Sequence, residues 1–137
     1  MRDPADQALS ADVGTIALPA LPASPSWARR YTRFFLDSCQ GISPGTTEDA
    51  ELIVSELATN AVRFGGARPI SLSLRNFREV LLVEIYDSDS NPPVLSSADS
   101  SAESGRGLML VNALSKEWSY SFPPGGGKIV YCFLAKT

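Results

Sequence analysis

Apolar residues recur along this 137-residue chain with two different periods, and the switches between them outline its elements. The stretch VGTIALPAL (13–21) reads as a short edge strand, ended by Pro19 and Pro22. In SPSWARRYTRFFLDSCQGI (24–42), Trp27, Tyr31, Phe34, Phe35 and Cys39 recur at helical spacing. Ser26 suits the N-cap of that helix, Gly41 its end, and the aromatics read as core. A second helix runs through SPGTTEDAELIVSELATNAVRFGG (43–66). Thr46 or Thr47 can cap it, Glu48 and Asp49 suit its positive end, and Gly65 and Gly66 stop it. Its buried stripe is Ala50, Ile53, Val54, Leu57, Ala61 and Val62.

The period then changes to two. PISLSLRN (69–76) alternates Ile70, Leu72 and Leu74 with Ser71, Ser73 and Arg75, which predicts one wet face. EVLLVEIYD (79–87) is more continuously apolar and reads as a central strand. The link NFRE between them is hairpin-sized, so the pair is antiparallel. A long polar, serine-rich segment from Ser88 to Ser104 follows; loops of that length inside a compact domain are often functional, for example as lids. GRGLMLVNALSKEW (105–118) resumes a helix with Leu108, Val111 (or Met109) and Leu114 facing in, and WSYSF, a PPGGGK turn and IVYCFL close as a hairpin. The order β-α-α-β-β-lid-α-β-β predicts an α+β fold. Its architecture is a two-layer α/β sandwich, with a mixed, mostly antiparallel sheet and helices on one face. Residues 1–12 read as a loose polar tail and 13–137 as a single domain.

Composition narrows the chemistry. Hydrophobic residues make up 44% of the chain, enough for one core. The net charge of −3 and the lack of a dominant Lys/Arg cluster argue against direct nucleic-acid binding. No apolar run approaches the ~18 residues of a membrane span, and the first residues lack the apolar stretch of a signal peptide. A cytoplasmic location is expected. The two cysteines, Cys39 and Cys132, read as reduced buried thiols. There is no histidine, which removes Ser-His-Asp and Cys-His catalysis, His-ligated zinc and a phosphoaccepting histidine. What remains is carboxylates, amides, hydroxyls, Arg/Lys and a recruited cation such as Mg²⁺.

Glu56 and Asn60 are four residues apart, about 400° of helix, so their side chains stack one turn apart beside the apolar stripe. Asn offers a neutral oxygen suited to Mg²⁺, and Glu a base for a hydroxyl or water proton. A solvated helix face is the plainer reading of such a pair. Asp87 ends the best strand, where sites collect but where Asp also starts ordinary turns. Gly105, Arg106 and Gly107 open a helix whose free N–H groups can cradle phosphate. GGGK at 125–128 is followed by Ile129, so it reads as a hairpin turn rather than a P-loop.

Taken in order, ELIVSELATNAVRFGG, VEIYDSDSNPP, SGRGLMLVNALSKEW and GGGKIVYCFL resemble the GHKL ATPase superfamily, with its gyrase, heat-shock-chaperone and histidine-kinase ATPases. More closely they look like the small anti-sigma-factor serine kinases of actinobacteria. The resemblance spans roughly residues 15–135 and implies a Bergerat-type fold that binds ATP with Mg²⁺. It implies that Asn60 coordinates Mg²⁺ and that Glu56 is the general base acting on a partner's serine hydroxyl. Asp87 would accept from the adenine amine, and Gly105 and Gly107 would let the backbone approach the phosphates. Arg106, lying between them, can add positive charge at the γ-phosphate. The implied partners are a sigma factor and an anti-sigma-factor antagonist, with homodimerisation also implied. The first strand and the helix around Trp27 to Phe35 are candidate surfaces for it. One departure stands out. The family's D-x-G-x-G box reads DSDSN here, with Asp89 and Asn91 in place of both glycines. Asn91 tolerates left-handed backbone and can keep the turn, whereas Asp89 adds negative charge near an anionic ligand. The alternative is therefore a non-catalytic partner-switching regulator with weak or absent nucleotide binding.

Overall fold

Strand β3 (Val80–Asp87) lies at the centre of a five-stranded sheet whose order is β1-β2-β3-β5-β4. The structure, a computed structural model, describes residues 12–93 and 103–137, with the side chains of 103–106 outside that description. The other strands are β1 (Asp12–Leu18), β2 (Ile70–Asn76), β4 (Glu117–Ser121) and β5 (Lys128–Ala135). Three helices complete the chain: α1 (Ser24–Asp37), α2 (Pro44–Phe64) and α3 (Glu103–Leu114). The predicted order of elements is the observed one. Every strand pairing among the described residues is antiparallel, where a mixed, mostly antiparallel sheet was expected. The expected tail falls mostly on residues 1–11, outside the described residues, and Asp12 already belongs to β1. Of the expected lid, Ser88 to Ser104, residues 94–102 lie outside the described residues, 88–93 follow β3 as a turn, and Glu103 and Ser104 already belong to α3.

Period-two burial fixes one face of the sheet against the helices. Leu72 faces Ile85 and Leu74 faces Val83 across β2–β3, while Val83 faces Cys132 and Ile85 faces Val130 across β3–β5. All are buried, and they meet the stripe Ala50, Ile53, Val54, Leu57, Ala58 and Ala61 of α2. Continuing the same phase by two residues brings Asp87 opposite Lys128, so the inner face ends on a charged pair. The hairpin before β5 turns through Gly125, Gly126 and Gly127, with φ of 94°, 102° and 76°. A side chain at Gly127 would collide with the Asp87 carbonyl and the Tyr86 ring, so this close pass needs glycine.

Several local expectations are corrected. Helix α1 starts at Ser24 rather than after Ser26; its N-cap is Ala23, Pro25 fills the first turn, and Ser24 Oγ donates to the Pro19 carbonyl at 2.5 Å. Helix α2 is capped by Ser43, which accepts from the Thr46 N–H at 3.1 Å, with Pro44 leading the helix; Thr46 and Thr47 lie inside it. The aromatics of α1 are not all core. Phe35 is buried and Tyr31 half-buried, whereas Phe34 is 74% and Trp27 42% exposed. Helical spacing of five bulky residues covers more than one face, and only the 28–32–35–36 side meets the sheet and α2. Cys132 is buried, which pushes its thiol up to about 12, and Cys39 is a half-buried free thiol. Among the described residues no helix is long and apolar enough to cross a membrane.

Candidate functional site

Where α2 ends over β3 and β5, a cavity of about 310 Å³ opens. Its walls are mostly apolar: Leu57, Ala61 and Phe64 from α2, Ile85 and Val130 from the sheet, Leu108 from α3, and Pro92 and Pro93. The polar groups are Asn60, Asp87, Asp89, Asn91 and Lys128. A concave apolar site with few convergent polar groups is the usual form of a small-molecule pocket.

Asp87 is buried at the floor because it holds the inward phase at the end of β3. Its Oδ1 accepts from the Asp89 N–H at 2.8 Å and from Lys128 Nζ at 3.0 Å. Among the described residues nothing pairs with Oδ2. The end of α2 comes close here: a Cβ at Gly65 would lie 2.4 Å from the Ala61 carbonyl and 3.0 Å from Asp87 Cβ. Asn60 stands half-buried on the wall, and among the described residues its amide has no hydrogen-bond partner.

The turn after Asp87 is built without glycine and without left-handed backbone, since no described non-glycine residue has positive φ. The expected reliance on Asn91's backbone tolerance is thus corrected. Side chains shape the turn instead. Asp89 Oδ1 accepts from the Asn91 N–H at 3.1 Å and its Nδ2 at 2.8 Å, and the Gly127 N–H donates to Ser90 Oγ at 3.2 Å. Lys128 Nζ also reaches Asp89 Oδ2 at 3.2 Å. Desolvation, the largest single effect on the Asp89 carboxyl, pushes it up. Hydrogen bonds from Asn91 and Lys128, with the Lys128 charge, together outweigh it and hold the carboxyl below its ordinary value.

Glu56 lies one turn earlier on α2 and does not line this cavity. It borders a shallower groove with Arg29, Glu48, Glu51, Leu52 and Ser55. It packs on the start of α3, where a Cβ at Gly107 would lie 2.7 Å from Glu56 Oε2. Leu108, the next residue, lines the main pocket, so the two sites adjoin through α3. The helix that Gly105, Arg106 and Gly107 were expected to open begins two residues earlier, at Glu103, so Gly105 and Arg106 fall in its first turn and Gly107 just beyond it. Arg106's side chain lies outside the described residues. The structure therefore sets Asn60 and Asp87 on one cavity and Glu56 against Gly107.

The histidine kinase-like ATPase domain family matches residues 18–133, most of the chain. The chain belongs to that family, and its α+β sheet-and-helix arrangement is the GHKL ATPase fold. No curated protein sequence matches the chain. A histidine kinase-like ATPase domain calls for ATP, and the pocket offers fitting groups: apolar walls and, without a partner among the described residues, Asp87 Oδ2 and the Asn60 amide. Among the described residues no three His, Cys, Asp or Glu side chains converge to hold a metal. The Asn60 side-chain oxygen is one group on the pocket wall that could serve a Mg²⁺ ion, with ligand oxygens and water as the other donors.

Lys128 was not singled out by the sequence analysis beyond the hairpin turn. A signal existed. In KIVYCFLA the inward phase is Lys128, Val130, Cys132 and Leu134, so alternation alone puts a cation on the buried face, where it needs a partner.

Proposed function

We propose that this chain is an ATP-binding regulator that acts as a Mg²⁺-dependent protein serine kinase toward an anti-sigma-factor antagonist and holds a sigma factor. The observation that carries the nucleotide part is the pocket itself, apolar-walled, with Asp87 Oδ2 at its floor, unpaired among the described residues, and the Asn60 amide on its wall. In this reading Asp87 Oδ2 accepts from the adenine amine, and Asn60 orients a Mg²⁺ ion. Bound ATP supplies the phosphoryl group. Glu56, beside Gly107, takes the proton of the partner's serine hydroxyl. In this reading the N-terminal part of α3, which carries Gly105, Arg106 and Gly107, serves the phosphates. The exposed Phe34 and Trp27 of α1, with Arg30 beside them in sequence, are the surface proposed for protein partners or a second copy.

A phosphorylation assay with a cognate antagonist tests the catalytic part. Glu56→Ala is expected to lower transfer by about 10²–10⁴-fold, the usual worth of a general base, with ATP binding retained. Transfer at the wild-type rate would remove Glu56 from the role. The second reading, a partner-switching regulator without catalysis, is favoured by the separation of Glu56 from the pocket that holds Asn60. It predicts partner binding with no transfer from the wild-type protein.

A further inference from the structure

Lys128 is the cation of a closed cluster. Its ammonium lies 3.0 Å from Asp87 Oδ1 and 3.2 Å from Asp89 Oδ2, and the three side chains are 6%, 4% and 19% exposed. All three line the pocket. Both oxygens of Asp89 are engaged, Oδ1 by Asn91 and Oδ2 by Lys128. Asp87 Oδ1 is shared between Lys128 and the Asp89 N–H, which leaves Oδ2 as the oxygen available to a ligand.

We propose that Lys128 is a positioning residue of this pocket: it holds Asp87 so that Oδ2 faces the ligand, and it offsets the charge of Asp89 so that a polyanionic nucleotide is accepted. The inference rests on the nucleotide reading above. Two carboxylates and one ammonium leave the cluster with a single negative charge; without Lys128 it carries two. In a pocket with apolar walls that repulsion is screened far less than in bulk water, so it acts on phosphates and not on an uncharged nucleoside. Holding Asp87, by contrast, matters equally to both ligands. A cation that only braced the fold would not distinguish them.

The test is calorimetry of ATP and of adenosine with wild type, Lys128→Met, Asp89→Asn and the double variant, each checked for folding by thermal melting. Lys128→Met is expected to weaken adenosine a few-fold and ATP at least tenfold more. Adding Asp89→Asn, which keeps the Oδ1 acceptor for Asn91, is expected to return the ATP-to-adenosine affinity ratio to the wild-type value. An unchanged ratio in Lys128→Met overturns the inference. Should that variant fail to fold, Asp89→Asn alone decides: a ratio shifted toward ATP supports the inference, and an unshifted one overturns it. Wild type binding both ligands with no effect of either substitution rejects the role of Lys128 alone. Wild type binding neither rejects the nucleotide reading and this inference with it.

Discussion

A Cβ at Gly107 would stand 2.7 Å from Glu56 Oε2, the far end of a flexible side chain, so Gly107→Ala is absorbed by moving that carboxylate. Alanine also favours the helix by about 1 kcal/mol over glycine. The melting temperature should therefore hold or rise while phosphoryl transfer falls; equal transfer would mean that the Glu56 position is immaterial. Asp89 gives a pH prediction. Its folded carboxyl titrates below its ordinary value of 3.8, so its stabilisation is present above that value and lost as pH falls through the lowered one. Asp89→Asn should flatten the acid decline of the melting temperature below about pH 4. An identical decline would place the lost stability on other carboxylates. At this scale the sequence conveyed the donor types but not their grouping. Glu56 and Asn60 share a helix face, yet one turn of rise sends Glu56 to Gly107 and Asn60 to Asp87.

Leu74 is fully buried on the inner face of β2 and faces Val83 across the central pair. Leu74→Ala should cost about 2–5 kcal/mol in urea unfolding, the usual range for a core leucine. A loss near zero would show that the inner face is not the packed one. The elements were legible because period two and period 3.6 alternate cleanly along the chain and glycines punctuate them. The errors fell at helix starts, where several serines and threonines compete. Ser43 wins the cap of α2 because Pro44 can occupy only the first turn, and Ser24 instead donates back to the chain at Pro19. The exposed side of α1 departs from the core reading because five bulky residues at helical spacing span more than one face, and only one face meets the sheet and α2.

At the scale of the molecule, the sheet phase that builds the core also builds the site. Following Leu81, Val83 and Ile85 by one more step puts Asp87 on the inner face. The same step on β5 supplies Lys128, and α2 closes over both with Asn60 and Phe64. The fold and the pocket's acidic floor could thus be read from alternation and motif order. The ion pair could not, because it needs the β3–β5 register, which joins residues forty-one apart. Nucleotide binding in this pocket is tested most directly by calorimetry of ATP with and without Mg²⁺, for wild type and Asn60→Ala. Wild type should show saturable heat that strengthens with Mg²⁺, and Asn60→Ala should retain the metal-independent part and lose the rest. No heat from wild type at millimolar ATP would contradict the account.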